Sequence, residues 1–132
     1  MKIYITSRFK GSIDNKDDID KLCAAVRDAG MKDFNFIRDV ENYQPNFFKN
    51  QKELWEAALS NLIECDALLI DVSDSPGGGR LVEAGMAYSL NKPIYVIMRN
   101  NIEYKDFYNG IATAIFKYDE FSDITKQLLI LH

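Results

Sequence analysis

The chain has 132 residues, 47% apolar and 27% charged, with a net charge of −4. That is enough for one domain with one core, and the acidic balance with scattered basic residues excludes a duplex nucleic-acid footprint. No apolar run approaches the ~20 residues of a membrane span, and MKIYITSRF passes into strand-like alternation without a signal-peptide core, so a cytoplasmic protein with a small-molecule partner is expected.

In chain order, Lys2 to Thr6 carries Ile3, Tyr4 and Ile5 in a row, the pattern of a strand buried on both faces of a parallel sheet. A polar loop, Ser7 to Asn15, follows with Arg8, Lys10 and Gly11. Ile19, Leu22, Cys23, Val26 and Ala29 then recur at helical spacing behind Asp17 and Asp18, and Gly30 is placed to end the helix. Phe34 to Ile37 reads as a second strand, and Arg38 to Lys49, with Asn42, Pro45 and Asn46, as a long loop of the kind that is commonly a lid or a substrate wall. Leu54, Trp55, Ala58, Leu59, Leu62 and Ile63 outline a helix over Gln51 to Glu64.

The stretch from Cys65 to Arg99 reads as strand, glycine-rich loop, helix and strand, with apolar runs Ala67 to Ile70 and Ile94 to Met98 at its ends. This βαβ unit puts the loop Asp71 to Arg80 at the carboxyl edge of the sheet, where open α/β sheets place their ligands. After Asn100 to Gly110, Ile111 to Phe116 fits either a final strand or a helix end, and Phe121 to Leu131 closes the chain as an amphipathic helix. The expected architecture is α/β: a single domain over 1–132, with a doubly wound, Rossmann-like sheet of four to five mostly parallel strands. Cys23 and Cys65 have no metal-ligand spacing and read as small core residues.

Glu83 is the most informative residue, because Leu81, Val82, Ala84, Met86 and Ala87 surround it with apolar side chains. It reads either as a carboxylate near a positive helix terminus or as a group facing the pocket as nucleophile or acid/base. In Ser73 to Arg80, Gly77, Gly78 and Gly79 would let the backbone approach an anion, although the Walker spacing is missing and such a run is often only a turn. Asp71, at the strand end, fits either a ribose hydroxyl or the loop amides. Arg8, Lys10 and Arg80 would form a cationic edge suited to a monophosphate, or stand solvated on their loops. Tyr4 is core by pattern, with a hydroxyl able to reach a carboxylate.

The order KIYITSRFKG, CDALLIDVSDS and GGGRLVEAGMAYSLNKPIYVIMR resembles the nucleoside 2-deoxyribosyltransferase family, which includes 2′-deoxynucleoside 5′-monophosphate N-hydrolases. The resemblance covers Lys2 to about Arg99. It implies that Glu83 attacks C1′ of a deoxyribose and expels the base, that a second base or water resolves the glycosyl-enzyme, and that no metal or other cofactor takes part. Tyr4 matches a tyrosine near the nucleophile, and Arg8 to Gly11 matches a phosphate loop. Asp71 matches a strand end lining the pocket. A homodimer or larger homo-oligomer is also implied, with sites that borrow residues from a neighbouring subunit. One departure stands out: the family's aspartate, eight residues before Asp66, falls on Ala58, and Glu56 lies about 200° away around the helix.

Two other readings remain in view. A nucleotide-binding or sensing protein could keep this pocket without turnover, as Ala58 suggests. A phosphoribohydrolase resembling the cytokinin-activating group is suggested by PGGG followed by a glutamate, which comes one residue early for that motif and without its Gly-Thr.

Overall fold

A computed structural model of the chain describes residues 1–7, 16–44, 46–73, 78–103 and 106–131. Five parallel strands form one sheet: β1 (Lys2–Thr6), β2 (Lys32–Asn35), β3 (Ala67–Asp71), β4 (Ile94–Arg99) and β5 (Ala114–Tyr118). Their order is β2-β1-β3-β4-β5. From β1 the chain steps outward to β2, then returns to place β3 on the other flank of β1. The carboxyl ends of β1 and β3 therefore border the crevice where the winding reverses, the usual ligand position in such sheets.

Helices α1 (Lys16–Asp28) and α5 (Phe121–Leu131) supply one core layer, in which Ile19, Leu22, Val26, Ile124 and Leu128 pack with Ile3, Ile5, Ala67 and Leu69 of the sheet. On the other side α3 (Gln51–Glu64) and α4 (Gly78–Ser89) bring Ala58, Leu62, Ala84 and Ala87 against Tyr4, Leu68, Ile70 and Val96. Alternation along β1 and β3 thus splits each strand between the two cores. Gly30 ends the first helical segment as expected, with φ +84° and its amide bonded to the carbonyl of Arg27. Cys23 and Cys65 are buried and unpaired.

Two segments differ from the sequence reading. The second strand stops at Asn35, and Phe36–Asp39 forms a short helix, α2, instead of continuing the strand to Ile37. Asn35 causes the break: its side chain accepts the amide of Arg38 at 2.9 Å, while its own amide donates to Asp39 at 3.0 Å. The ambiguous segment after residue 110 resolves as a turn followed by β5, which starts at Ala114 and runs on to Tyr118, two residues past the expected end. Among the described residues no helix is long and apolar enough to cross a membrane.

Candidate active site

Tyr4 and Thr6 are two positions apart on β1, so both point to the side covered by α4. There they meet Glu83. The Tyr4 hydroxyl donates to Oε2 at 2.6 Å and the Thr6 hydroxyl donates to Oε1 at 2.8 Å, so both carboxylate oxygens are held. Glu83 is 8% exposed, which settles its placement on the inward face of α4. Burial raises its pKa above the ordinary glutamate value; the bonds from Tyr4 and Thr6 and the charge of Arg80 pull the other way without cancelling that effect. Burial, and then the adjacent Glu83 charge, pushes Tyr4 far above the usual phenol range, so Tyr4 acts here as a hydrogen-bond donor and not as a base.

Arg80 is buried one turn before Glu83, and its Nη1 donates to the carbonyl of Asp71 at 2.5 Å. This bond ties the first turn of α4 to the end of β3. The Asp71 carboxylate is engaged elsewhere: Oδ1 accepts from the Ser73 amide (2.9 Å) and hydroxyl (2.6 Å), and Oδ2 accepts from Tyr118 at 2.6 Å. Asp71 follows Ala67 and Leu69 in the strand alternation, which places it on the sheet face opposite Glu83. Ser73 Oγ also accepts the Arg99 amide at 2.9 Å, so Asp71 and Ser73 join β3 to β4 and β5. Helix α4 begins at Gly78, inside the glycine run, and a Cβ on Gly79 would stand 3.8 Å from the Trp55 ring.

A cleft of about 550 Å³ opens over Glu83. Thr6, Gly79, Arg80 and Glu83 are in its lining, with Leu54, Trp55 and Ala58 of α3 and with Asn35, Phe36 and Glu41. Ala58 presents only a methyl group to this space and is 2% exposed. Glu56 points away, with a side chain 66% exposed and 3.9 Å from Lys52. Burial raises the Glu41 carboxyl above its ordinary value. Sequence reasoning missed Thr6, Asn35 and Trp55 as parts of the site, and did not single out Glu41 within the Arg38 to Lys49 loop it expected there. The available signal for Thr6 was its spacing from Tyr4 on the same strand face. For Asn35 it was the cap pattern with Arg38 and Asp39.

Comparison with known proteins shows the family and the fold. The sequence profile described as nucleoside 2-deoxyribosyltransferase matches residues 3–122. The chain belongs to the nucleoside 2-deoxyribosyltransferase family. A search of curated protein sequences finds no match. Among solved structures, the 2-deoxyribosyltransferase of Bacillus psychrosaccharolyticus is similar with a TM-score of 0.74 at 20% identity, over 97% of this chain and 96% of that one. The Clostridium botulinum CMP N-glycosidase BcmB is similar at 0.71 and 14% identity, over 100% of both chains. A conserved protein from Enterococcus faecalis V583 is similar at 0.74 and 12%, over 99% and 98%. At these identities the structural likeness concerns the fold.

As a member of the deoxyribosyltransferase family, the chain brings together Tyr4, Glu83, Gly79 and Arg80 of the residues expected from sequence at or beneath one cleft. Gly78 opens α4 and is exposed beside them. Asp71 and Ser73 stand behind the cleft in the network described above. Arg8, Lys10, Gly11 and Gly77 lie outside the described residues. Among the described residues no group of histidine, cysteine and carboxylate side chains is arranged to hold a metal ion.

Proposed function

We propose that this deoxyribosyltransferase-family protein cleaves the N-glycosidic bond of a 2′-deoxynucleoside or its 5′-monophosphate, with Glu83 as nucleophile. The observation that carries the reading is the buried Glu83 carboxylate, held at both oxygens by Tyr4 and Thr6 on the wall of a cleft. A Glu83 oxygen forms a bond to C1′ as the bond from C1′ to the base nitrogen breaks, through an oxocarbenium-like transition state. The negative carboxylate stabilises that developing cation, and the two hydroxyl donors fix its orientation without protonating it. Water or the nitrogen of a second base then displaces the glutamate from C1′. Arg80, with the amides of the glycine run and with Arg8, Lys10 and Gly11 of the first loop, supplies cationic and amide donors for a 5′-phosphate.

Leu59 and Ile63 of α3 and Leu81, Val82 and Tyr88 of α4 are exposed apolar side chains. They support a homodimer, as the family resemblance implies.

Chromatography of free base, after incubation with each deoxynucleoside and each monophosphate with and without an acceptor base, tests the activity. Base release by the parent and none by Glu83→Gln is the expected result; dependence on acceptor separates transferase from hydrolase. The methyl floor at Ala58 favours one alternative, a nucleotide-binding protein without turnover. Nucleotide bound and recovered unchanged by the parent would establish that alternative.

A further inference from the structure

Expelling a nucleobase requires a proton at its departing ring system, and the second half of the reaction requires that a proton be removed from water or the acceptor. Neither Tyr4 nor Thr6 meets this need, since both hydroxyls are directed at Glu83. Ala58 has no proton to give, and Glu56 faces solvent beside Lys52. Among the described residues lining the cleft, the carboxyl groups are Glu83 and Glu41. Resting on the glycosidic reading above, we infer that Glu41 is the acid–base group of this cleft, reaching the leaving base from the loop that follows α2.

The local backbone is built to present this side chain. Asn42 and Tyr43, the next two residues, have φ of 50° and 58°, in the left-handed region that a bulky side chain seldom occupies. The turn is fixed from both ends. Amides of Glu41 and Tyr43 bond to the carbonyls of Phe36 (3.1 Å) and Ile37 (2.9 Å), and the Gln44 amide bonds to the Glu41 carbonyl at 2.9 Å. The Tyr43 hydroxyl donates to Asp20 at 2.7 Å on α1, with the Lys16 ammonium 5.0 Å from the ring centre. Glu41 is thereby turned into the cleft while Tyr43 is pinned outside it. Burial favours the protonated carboxyl of Glu41, and its charge is felt at both Glu83 and Tyr4.

In the first half-reaction the Glu41 carboxyl proton passes to the base as the C1′–N bond electrons move onto the base and Glu83 bonds to C1′. The base leaves neutral. In the second, the Glu41 carboxylate accepts a proton from water, or from the N–H of an acceptor base, as oxygen or nitrogen bonds to C1′ and Glu83 leaves as carboxylate. Both glutamates return to their starting states.

The test compares the parent, Glu41→Gln, Glu41→Ala and Glu83→Gln on two substrates: the best nucleoside or nucleotide, and a 4-nitrophenyl 2-deoxyribofuranoside with the same 5-substituent, whose phenolate departs without a proton. Both Glu41 variants should lose about 10²–10⁴ in kcat/KM on the nucleoside and stay within about threefold of the parent in kcat/KM on the aryl substrate, which reads glycosylation alone. On the aryl substrate they should show a nitrophenolate burst followed by slow turnover, because the second half-reaction still lacks its base. Retained aryl cleavage also certifies that the variants fold. Glu83→Gln should lose both activities. Equal effects on both substrates in Glu41 variants that melt with the parent would overturn the assignment, as would a parent that cleaves only the aryl substrate. A parent that cleaves neither, or a Glu83→Gln variant as active as the parent, would instead overturn the glycosidic reading itself.

Discussion

Glu83 carries a conflict between stability and chemistry. Its folded-state pKa lies above the unfolded value, so the native state binds the proton more tightly than the unfolded chain does. The resulting stabilisation is complete below the unfolded pKa, about 4.3, and is lost as pH rises through the folded pKa. Glu83→Gln removes this loss, so its Tm minus that of the parent should increase from pH 4 towards neutrality, as scanning calorimetry across that range would show; a constant difference would mean that burial does not govern Glu83. This carboxylate was legible from sequence because a charge stood among apolar neighbours at helical spacing. Glu41 was not, because a glutamate in a polar loop looks solvated until the following backbone turn is known.

At the scale of elements, the βαβ unit from Cys65 to Arg99 was legible because its apolar runs and glycine loop are local signals. The end of β2 was misread because Phe36 and Ile37 favour a strand, while the bonds from Asn35 to Arg38 and Asp39 impose a cap. Asp71 was ambiguous for a different reason: its Tyr118 partner lies 47 residues away. That long-range bond is a strut between β3 and β5. Tyr118→Phe deletes a donor to a carboxylate and should lower stability by about 1.5–3 kcal/mol, measured by urea unfolding, while kcat for base release holds. A large loss of kcat at unchanged stability would instead place Asp71 on the substrate.

For the whole molecule, the strand order locates the cleft and the division of the sheet into two cores sets its depth. Leu81 and Val82 are exposed on α4 in the same helical turn as Glu83. A charge there should oppose self-association: Val82→Asp is expected to sediment as a monomer where the parent sediments as a dimer. Unchanged sedimentation of that variant would place any dimer contact elsewhere. The sequence predicted the sheet from periodicity, whereas the exposure of Leu81, Val82 and Tyr88 among the apolar residues of α4 is read from the structure.

The contacts from Tyr4 and Thr6 to Glu83 span 79 and 77 residues of chain. Closing so long a loop is costly before the sheet between them exists, so the two hydroxyls cannot gather around the carboxylate while folding is still local. A nascent or refolding chain can regain its helices before the two hydroxyls hold Glu83. Recovery of base release after dilution from denaturant should therefore trail the return of helical circular dichroism, making catalysis a late reporter of sheet assembly.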